Sequence, residues 1–478
     1  MKQLYFLLIV LLFAHRGSAQ NANLLTAKVV DAKGLPIELV NVKVTETNQY
    51  AAFETEGVNQ LKRFKLYGHF SFQRTWDDSL AFNLRGLKNS DQPAYLLAGK
   101  AGNYERQTYI GGGIISYELL KDKAYLSTGV DYLYNESAGD VDPRALVTTY
   151  RIIFNPEFTY KIKKQVIGVG VNIGYGTENI LFNIKNSDFE GTTYPERIPY
   201  LNFGYGNIDP SQGDFNRRSK YTGLTLNYAG NVGKLALNTK MSYNVSFDDN
   251  YYPLDKSIKY NSFQTFQMES LKLDILIGKK GETIDQQILI NFNKDSGSDE
   301  LVQAGARNYI FNRVDFSSSY NLLIKRYNRR GMEWISNLAY QSVLRRDAAS
   351  NQSLSYNYFK PRIGHIQYWQ GKNNDRLAVG ANIFARLPTQ TIVVKASQET
   401  IFTTGVVYPD YLYWTSKAIG TDFKIDFISN HIIKNFRTGI NLSSSYMRSL
   451  SYTDTNFNTT FVPSKDFFGI NIGLKLFF

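Results

Sequence analysis

The chain has 478 residues, a net charge of +12 from 54 Lys and Arg against 42 Asp and Glu, 34 Tyr, 31 Phe and no cysteine. The absence of cysteine excludes disulfides, thiolate metal sites, cysteine nucleophiles and lipoprotein acylation. An aromatic content of 14% with a mean hydropathy of −0.31 suits a sheet with one apolar and one polar face. Outside the first twenty residues, no segment is long and apolar enough for a membrane-spanning helix.

In chain order, Lys2, the apolar run Leu4–Ala14 and Gly17-Ser18-Ala19 have the layout of a secretory signal peptide over residues 1–19. Cleavage there removes Lys2 and Arg16 and takes the charge from +12 to +10. Residues 20–60 are expected to form an N-terminal periplasmic extension, and 61–478 a barrel. From there the sequence alternates with period two in segments of about ten residues, as in Ile167, Val169, Val171, Ile173 and Tyr175 with Gly and Asn between them. Strands are expected near 62–76, 104–118, 124–135, 149–162, 165–177, 218–229, 234–247, 262–278, 284–293, 307–324, 331–345, 355–370, 376–386, 415–429, 436–448 and 466–478.

Short connections, such as 120–123, 163–164 and 430–435, alternate with long ones, notably 77–103, 178–217 and 387–414. This alternation predicts an all-β fold: a transmembrane, antiparallel, up-and-down β-barrel of about sixteen strands, or fourteen if a hairpin is merged, with long extracellular loops and short periplasmic turns. The last strand carries Phe468, Ile470, Ile472, Leu474, Leu476 and Phe478 on one face, and this ending resembles the C-terminal assembly signal of bacterial outer-membrane proteins. Such a strand should pair with the first to abolish the sheet edge.

Inward-facing candidates for the lumen lining are Arg151, Glu157, Lys161, Lys240, Lys272, Asp274, Arg313, Asp315, Asp422, Lys424, Asp426 and Lys475. Their mixed signs suit wall-bracing pairs, or a transverse field acting on a polar solute. The Lys and Arg of the short turns read as interfacial charges rather than a nucleic-acid surface. Catalysis has little to draw on. With His15 in the leader, His69, His365 and His431 remain, and none lies in a long loop. His69 and Ser71 share a strand face but sit ~6.5 Å apart along it. No cofactor is expected, and no metal: Asp248-Asp249-Asn250 and Asp295 to Glu300 read as solvated acidic loops rather than calcium sites. Gly111-Gly112-Gly113 lies within a strand, where it relieves crowding or permits curvature.

Four stretches, Phe64–Phe72 (FKLYGHFSF), Gly102–Tyr109 (GNYERQTY), Asp140–Arg144 (DVDPR) and Tyr200–Gly206 (YLNFGYG), resemble an uncharacterised family of Bacteroidetes outer-membrane β-barrels. The resemblance runs from about residue 53 to the end. It implies a membrane barrel without an assigned activity, and a TonB-dependent transporter or surface lipoprotein as partner, beside outer-membrane lipid, lipopolysaccharide and the barrel assembly machinery. Lys28–Glu38 and Val40–Val44 resemble the start of a carboxypeptidase-regulatory-like β-domain. The expectation is a non-enzymatic outer-membrane protein for passage or uptake of a small polar solute. The alternative is a closed barrel that docks such a partner.

Overall fold

The computed structural model describes residues 36–44, 48–84, 91–191, 193–211, 213–252, 261–326, 330–371, 375–433, 436–450, 452 and 457–477. The proposed leader, residues 1–19, and Phe478 lie outside them. The strands are β1 (Pro36–Val44), β2 (Asn48–Leu61), β3 (Phe64–Leu80), β4 (Ala94–Leu97), β5 (Gly102–Leu120), β6 (Ala124–Gly139) and β7 (Arg144–Ile162). They continue with β8 (Gln165–Asn183), β9 (Tyr200–Phe203), β10 (Ile208–Pro210), β11 (Phe215–Val232), β12 (Leu235–Tyr252), β13 (Asn261–Lys279) and β14 (Ile284–Leu301). The last are β15 (Tyr309–Arg326), β16 (Arg330–Asp347), β17 (Gln352–Gln370), β18 (Arg376–Val394), β19 (Ala418–Ile433), β20 (Phe436–Ser449) and β21 (Asp466–Phe477). A π-helical turn, Thr403–Val407, leads into the helix α1 (Tyr408–Thr415). No described helix is long and apolar enough to cross a membrane.

Eighteen strands form one antiparallel sheet, and β4, β9 and β10 form a separate three-stranded sheet. Sequential neighbours pair throughout the large sheet. Its pairing is cyclic: β21 pairs with β1, β1 with β2 and β2 with β3. All sixteen expected strands are present, but the count of sixteen is too low. The two additional strands come from residues assigned to the periplasmic extension, so that expectation is corrected: 36–44 and 48–61 belong to the sheet. The segment resembling a regulatory β-domain is therefore part of the main sheet from Pro36 onward, with Pro36 opposite Phe477. The terminal strand meets β1, not the expected first strand at 62–76. The reason β2 was missed is its sequence. The face shared with Phe72 and Phe70 of β3 carries Phe53 and Thr55, then Gly57 and Asn59, too weak an apolar series to announce a strand.

Several strands reach 18 or 19 residues, beyond their alternating segments. The β6–β7 and β16–β17 connections, expected to be long, shrink to residues 140–143 and 348–351 as a result. Outward positions carry a band of exposed apolar side chains, among them Phe154, Phe158, Val169, Ile173, Leu224, Leu226 and Ile383. Aromatic rings bound it on both sides. Toward the long loops, Tyr132, Tyr150 and Tyr175 form a ladder with centroids 5.6 and 5.7 Å apart. Toward the short turns, Phe64 packs on Tyr117 at 4.9 Å, and Tyr160 and Trp334 are exposed near the short-turn ends of β7 and β16.

Candidate functional site: a lumen plugged from the loop side

The long loops turn into the ring. The small sheet β10-β9-β4 is assembled from two of them, with Ala94 opposite Phe203 and Ile208 opposite Asn202. Its side chains join those of the inward wall in two buried clusters, one around Leu96, Leu201, Ile180 and Phe215, the other around Leu97, Phe266, Tyr309, Phe311 and Phe402. Together with α1 they constitute a plug in the loop-end half of the lumen.

Polar side chains latch the plug to the wall. Asp91 lies 2.9 Å from Arg313 of β15 and 3.9 Å from Arg345 of β16. Gln92 donates to Asp248 of β12 at 2.6 Å. Arg217 of β11 donates to the Ala94 carbonyl and to Glu178 of β8, and to Asn250 Oδ1 at 2.9 Å. Within the plug, Asn202 of β9 donates to the carbonyl of Pro93 at 2.7 Å. Asp347, at the end of β16, accepts from the backbone N–H of Tyr205 (2.7 Å) and Asn207 (3.1 Å), while Gln352 donates to the Tyr205 carbonyl at 2.7 Å. Gly204 makes this approach possible: a Cβ there would stand 2.2 Å from Asp347 Oδ2. A fully buried polar group is costly unless paired, and here plug and wall pair each other.

The helix α1 docks on β17 and β18. Trp414 stacks on Tyr356 and Tyr358, with centroids 4.6 and 5.5 Å apart and near-parallel planes. Arg386 donates to the Tyr413 carbonyl at 2.8 Å and lies 4.1 Å from the Tyr413 ring. Within α1, burial pushes the Asp410 carboxyl up to about 6, with the Arg345 guanidinium pulling the other way. Burial likewise raises the Tyr205 phenol far above its ordinary value.

Three of the four stretches that carried the family resemblance are fixtures of this plug and its rim, while Phe64–Phe72 opens β3 at its short-turn end. In Gly102–Tyr109, buried Arg106 pairs with Asp77 at 2.9 Å. In Asp140–Arg144, burial would raise the Asp142 carboxyl. Backbone N–H groups of Asn186 and Lys185 and the Arg144 side chain outweigh it and hold the group low. Tyr200–Gly206 is β9 and its turn. The reading of Asp248–Asn250 and Asp295–Glu300 as solvated acidic loops is corrected: they lie in β12 and β14. Asp248 is 1% exposed and Asp299 2%. Asp248 binds Gln92, and Asp299 accepts from Gln264 and from the backbone of Asn308 and Tyr309. No group of three or more His, Cys, Asp or Glu among the described residues is placed to hold a metal ion.

Below the plug, toward the short turns, inward positions carry the lumen candidates. Glu157 accepts from Asn227 at 2.7 Å and Thr159 at 2.9 Å. Asp422 pairs with Arg362 at 3.1 Å, and Lys424 with Asp426 at 2.8 Å. Arg313 bridges Asp295 (2.5 Å) and Asp315 (3.1 Å) besides Asp91, so it belongs to the latch. Lys272, Asp274 and Asp315 come together around a wall recess. Arg151, Lys161, Lys240 and Lys475 sit on strands β7, β12 and β21 and are not brought into it. On β21, Phe468, Ile470 and Ile472 are exposed on the outward face, and Leu474 and Leu476 follow them in register.

The histidines are dispersed. His69 is opposite Gly112, whose missing side chain makes the space, since a Cβ would lie 2.6 Å from the imidazole. Ser71 donates to Glu54 at 3.3 Å, not to His69. His365 packs on Trp334 at 4.7 Å, and His431 lies two residues before the end of β19.

Residues 38–478 match a family described as a family of unknown function (DUF6850). The chain belongs to it. No curated protein matches. Among solved structures, the chain is similar to the siderophore receptor PiuA from Acinetobacter baumannii (8% identity, 94% of this chain and 82% of that one, TM-score 0.40). It is also similar to the ferric-catecholate import receptor Fiu from E. coli K12 in its closed form (7%, 94% and 82%, TM-score 0.41). The FrpB iron transporter from Neisseria meningitidis gives 9%, 96% and 83%, with a TM-score of 0.39. Likenesses this distant carry no functional argument.

Proposed function

We propose that this chain is a non-enzymatic outer-membrane β-barrel that admits a small polar solute through a lumen gated by its own loops. The observation that carries the membrane placement is the outward apolar band between two aromatic rows. On β7 the rows are marked by Tyr150 and Tyr160. Ten residues at ~3.3 Å each, tilted by roughly 40°, span ~25 Å, the height of the apolar band of an outer-membrane barrel. A ring of eighteen strands is wide enough for an aqueous channel unless something fills it. Here the loop half is filled and the short-turn half is lined by charges.

Buried polar latches support the gating. A plug held by ion pairs and hydrogen bonds can leave without exposing only apolar surface, because water replaces its partners. The same closure favours a second reading, a shut barrel whose loop face docks a TonB-dependent transporter or surface lipoprotein. Single-channel recording in planar bilayers separates the two. Gating predicts a quiet wild-type protein that acquires stable open steps when Asp91→Ala and Arg217→Ala release the plug. If the folded double variant stays silent, the docking reading stands and passage falls.

A further inference from the structure

The wall is incomplete beside β18 at its loop end. β18 pairs with β17 as far as Val394, opposite Ser353, but its pairing with β19 stops at Arg386, opposite Ala418. From Leu387 to Val394, the backbone groups on the edge facing away from β17 have no hydrogen-bond partner among the described residues. In an antiparallel sheet every second residue turns its N–H and C=O to such an edge. The local sequence has the marks of one: Pro388, and a bulge where Tyr358 and Asn357 face Pro388 and Gln390. Proline and bulges belong to strands that lack a second neighbour.

This edge stands outside the apolar band. On β17 the outward aromatic residues Trp369 and Phe359 are exposed and lie opposite Leu377 and Leu387 of β18. Their separation is the ~25 Å of an outer-membrane band, so the strand beyond Leu387 is on the loop side of it. Lipid therefore does not account for the exposed Ile392 and Val394. Between them, Val393 packs inward on the buried cluster of Tyr356 and Phe402, which holds the edge in place. Across the gap, exposed Leu450 donates its N–H to the Lys417 carbonyl at 2.8 Å.

The charges around the gap are unequal. Lys395, Lys417, Arg448 and Lys465 border it, against Glu399 and Asp466. Arg448 lies 3.8 Å from Asp466, and Glu399 accepts from Tyr408. The three lysines, all exposed, form no ion pair among the described residues. A second copy in the same membrane does not fit the edge. Both copies of β18 run outward, and strands tilted by roughly 40° about a two-fold along the membrane normal would cross at about 80°.

We propose that the β18 edge docks an extended, acidic segment of a separate protein, which adds a strand to the wall by pairing with Thr389–Val394. Main-chain hydrogen bonds supply the attachment, Ile392 and Val394 meet apolar side chains of the added strand, and the lysines meet its carboxylates. The proposal goes beyond passage and does not depend on it, because the edge lies in the wall and carries none of the plug's latches.

The test uses the folded protein in detergent, with amide exchange as the readout. The probe is a peptide of six alternating Val and Thr residues between two pairs of Glu, and its control carries Lys in place of Glu. Saturating acidic peptide should slow exchange in 389–394 by about tenfold or more, leaving the central strands unchanged. The Lys-ended control should bind about tenfold more weakly. The Ile392→Glu, Val394→Glu double variant, which changes only exposed side chains, should lose the protection. Heat-dependent gel mobility checks that it remains folded. No slowing in 389–394 with the acidic peptide overturns the proposal. So does equal binding of the Lys-ended control, or protection that survives in the folded double variant. Edge amides already protected in the free protein and released on dilution would assign the edge to a second copy and overturn it too.

Discussion

The two halves of the lumen are built from the same strands and solve the polar interior in opposite ways. In the loop half, charged wall residues are buried and reach inward to chain segments far away in sequence, as Arg217 does to Ala94 and Asp347 to Tyr205. In the short-turn half, they pair along one strand or over an intervening one, as in Lys424–Asp426 on β19 and Arg362–Asp422 across β18, and remain partly exposed. Buried pairs that lose one partner are expensive to break, while exposed pairs are worth little. The same residue types thus make a latch above and a wetted wall below.

The largest effect should follow from breaking the latch at its most buried point. Arg217→Ala leaves Glu178 without its guanidinium and frees the Ala94 carbonyl, at a cost on the order of 3–5 kcal/mol. Amide exchange across 94–97 and 200–203 should accelerate by a hundredfold or more, while the central strands stay protected. Unchanged exchange in the small sheet would show that the plug rests on its apolar contacts.

A comparable effect is expected on the outside. Val169→Arg places a charge in the middle of the outward apolar band, where it should cost ~2–4 kcal/mol in lipid. Urea titration in vesicles reads it, and the same change should be nearly neutral if that face meets water.

Gly204→Ala is next. Its Cβ would collide with Asp347, so the turn must retreat and lose two backbone hydrogen bonds, about 1–3 kcal/mol. Limited proteolysis between residues 199 and 214 should become faster without loss of the barrel.

A pH effect comes from Asp410. Burial raises its carboxyl to about 6 in the docked helix, against ~4 when released. The docked state therefore holds a proton that the released state has lost between those values. Docking is strongest below pH ~4, weakens as pH rises through ~6 and is level above. Asp410→Asn should remove that slope from plug exchange rates measured between pH 4 and 7.

The smallest effect belongs to the short-turn half. Lys424→Ala should shift stability by less than about 1 kcal/mol, and a larger loss would mean that the lower wall is not simply wetted.

The ring was legible because a wall with one apolar and one polar face must alternate: the β8 and β21 series mark their strands directly. β2 was not, because Gly57 and Asn59 occupy its outward face near one end. The plug was illegible for a different reason. Asp91, Asp248, Arg345 and Asp347 lie in separate segments, and no local period links a loop carboxylate to a wall guanidinium more than two hundred residues away. Their nearest sequence trace was the set of loop-side stretches around Tyr104, Asp142 and Tyr205, which carried a family resemblance without a stated role. Acidic residues at strand ends, such as Asp248 and Asp299, read as solvated loops because the strands continue beyond the alternating segments into the rim.

The most direct test of a polar lumen closed by its own loops is conductance in a planar bilayer, wild type against the Asp91→Ala, Arg217→Ala double variant. A lumen closed by its own loops gives a silent wild type and stable open steps once the latch is cut. Stable conductance from the intact protein, with no further gain in the folded variant, would contradict it.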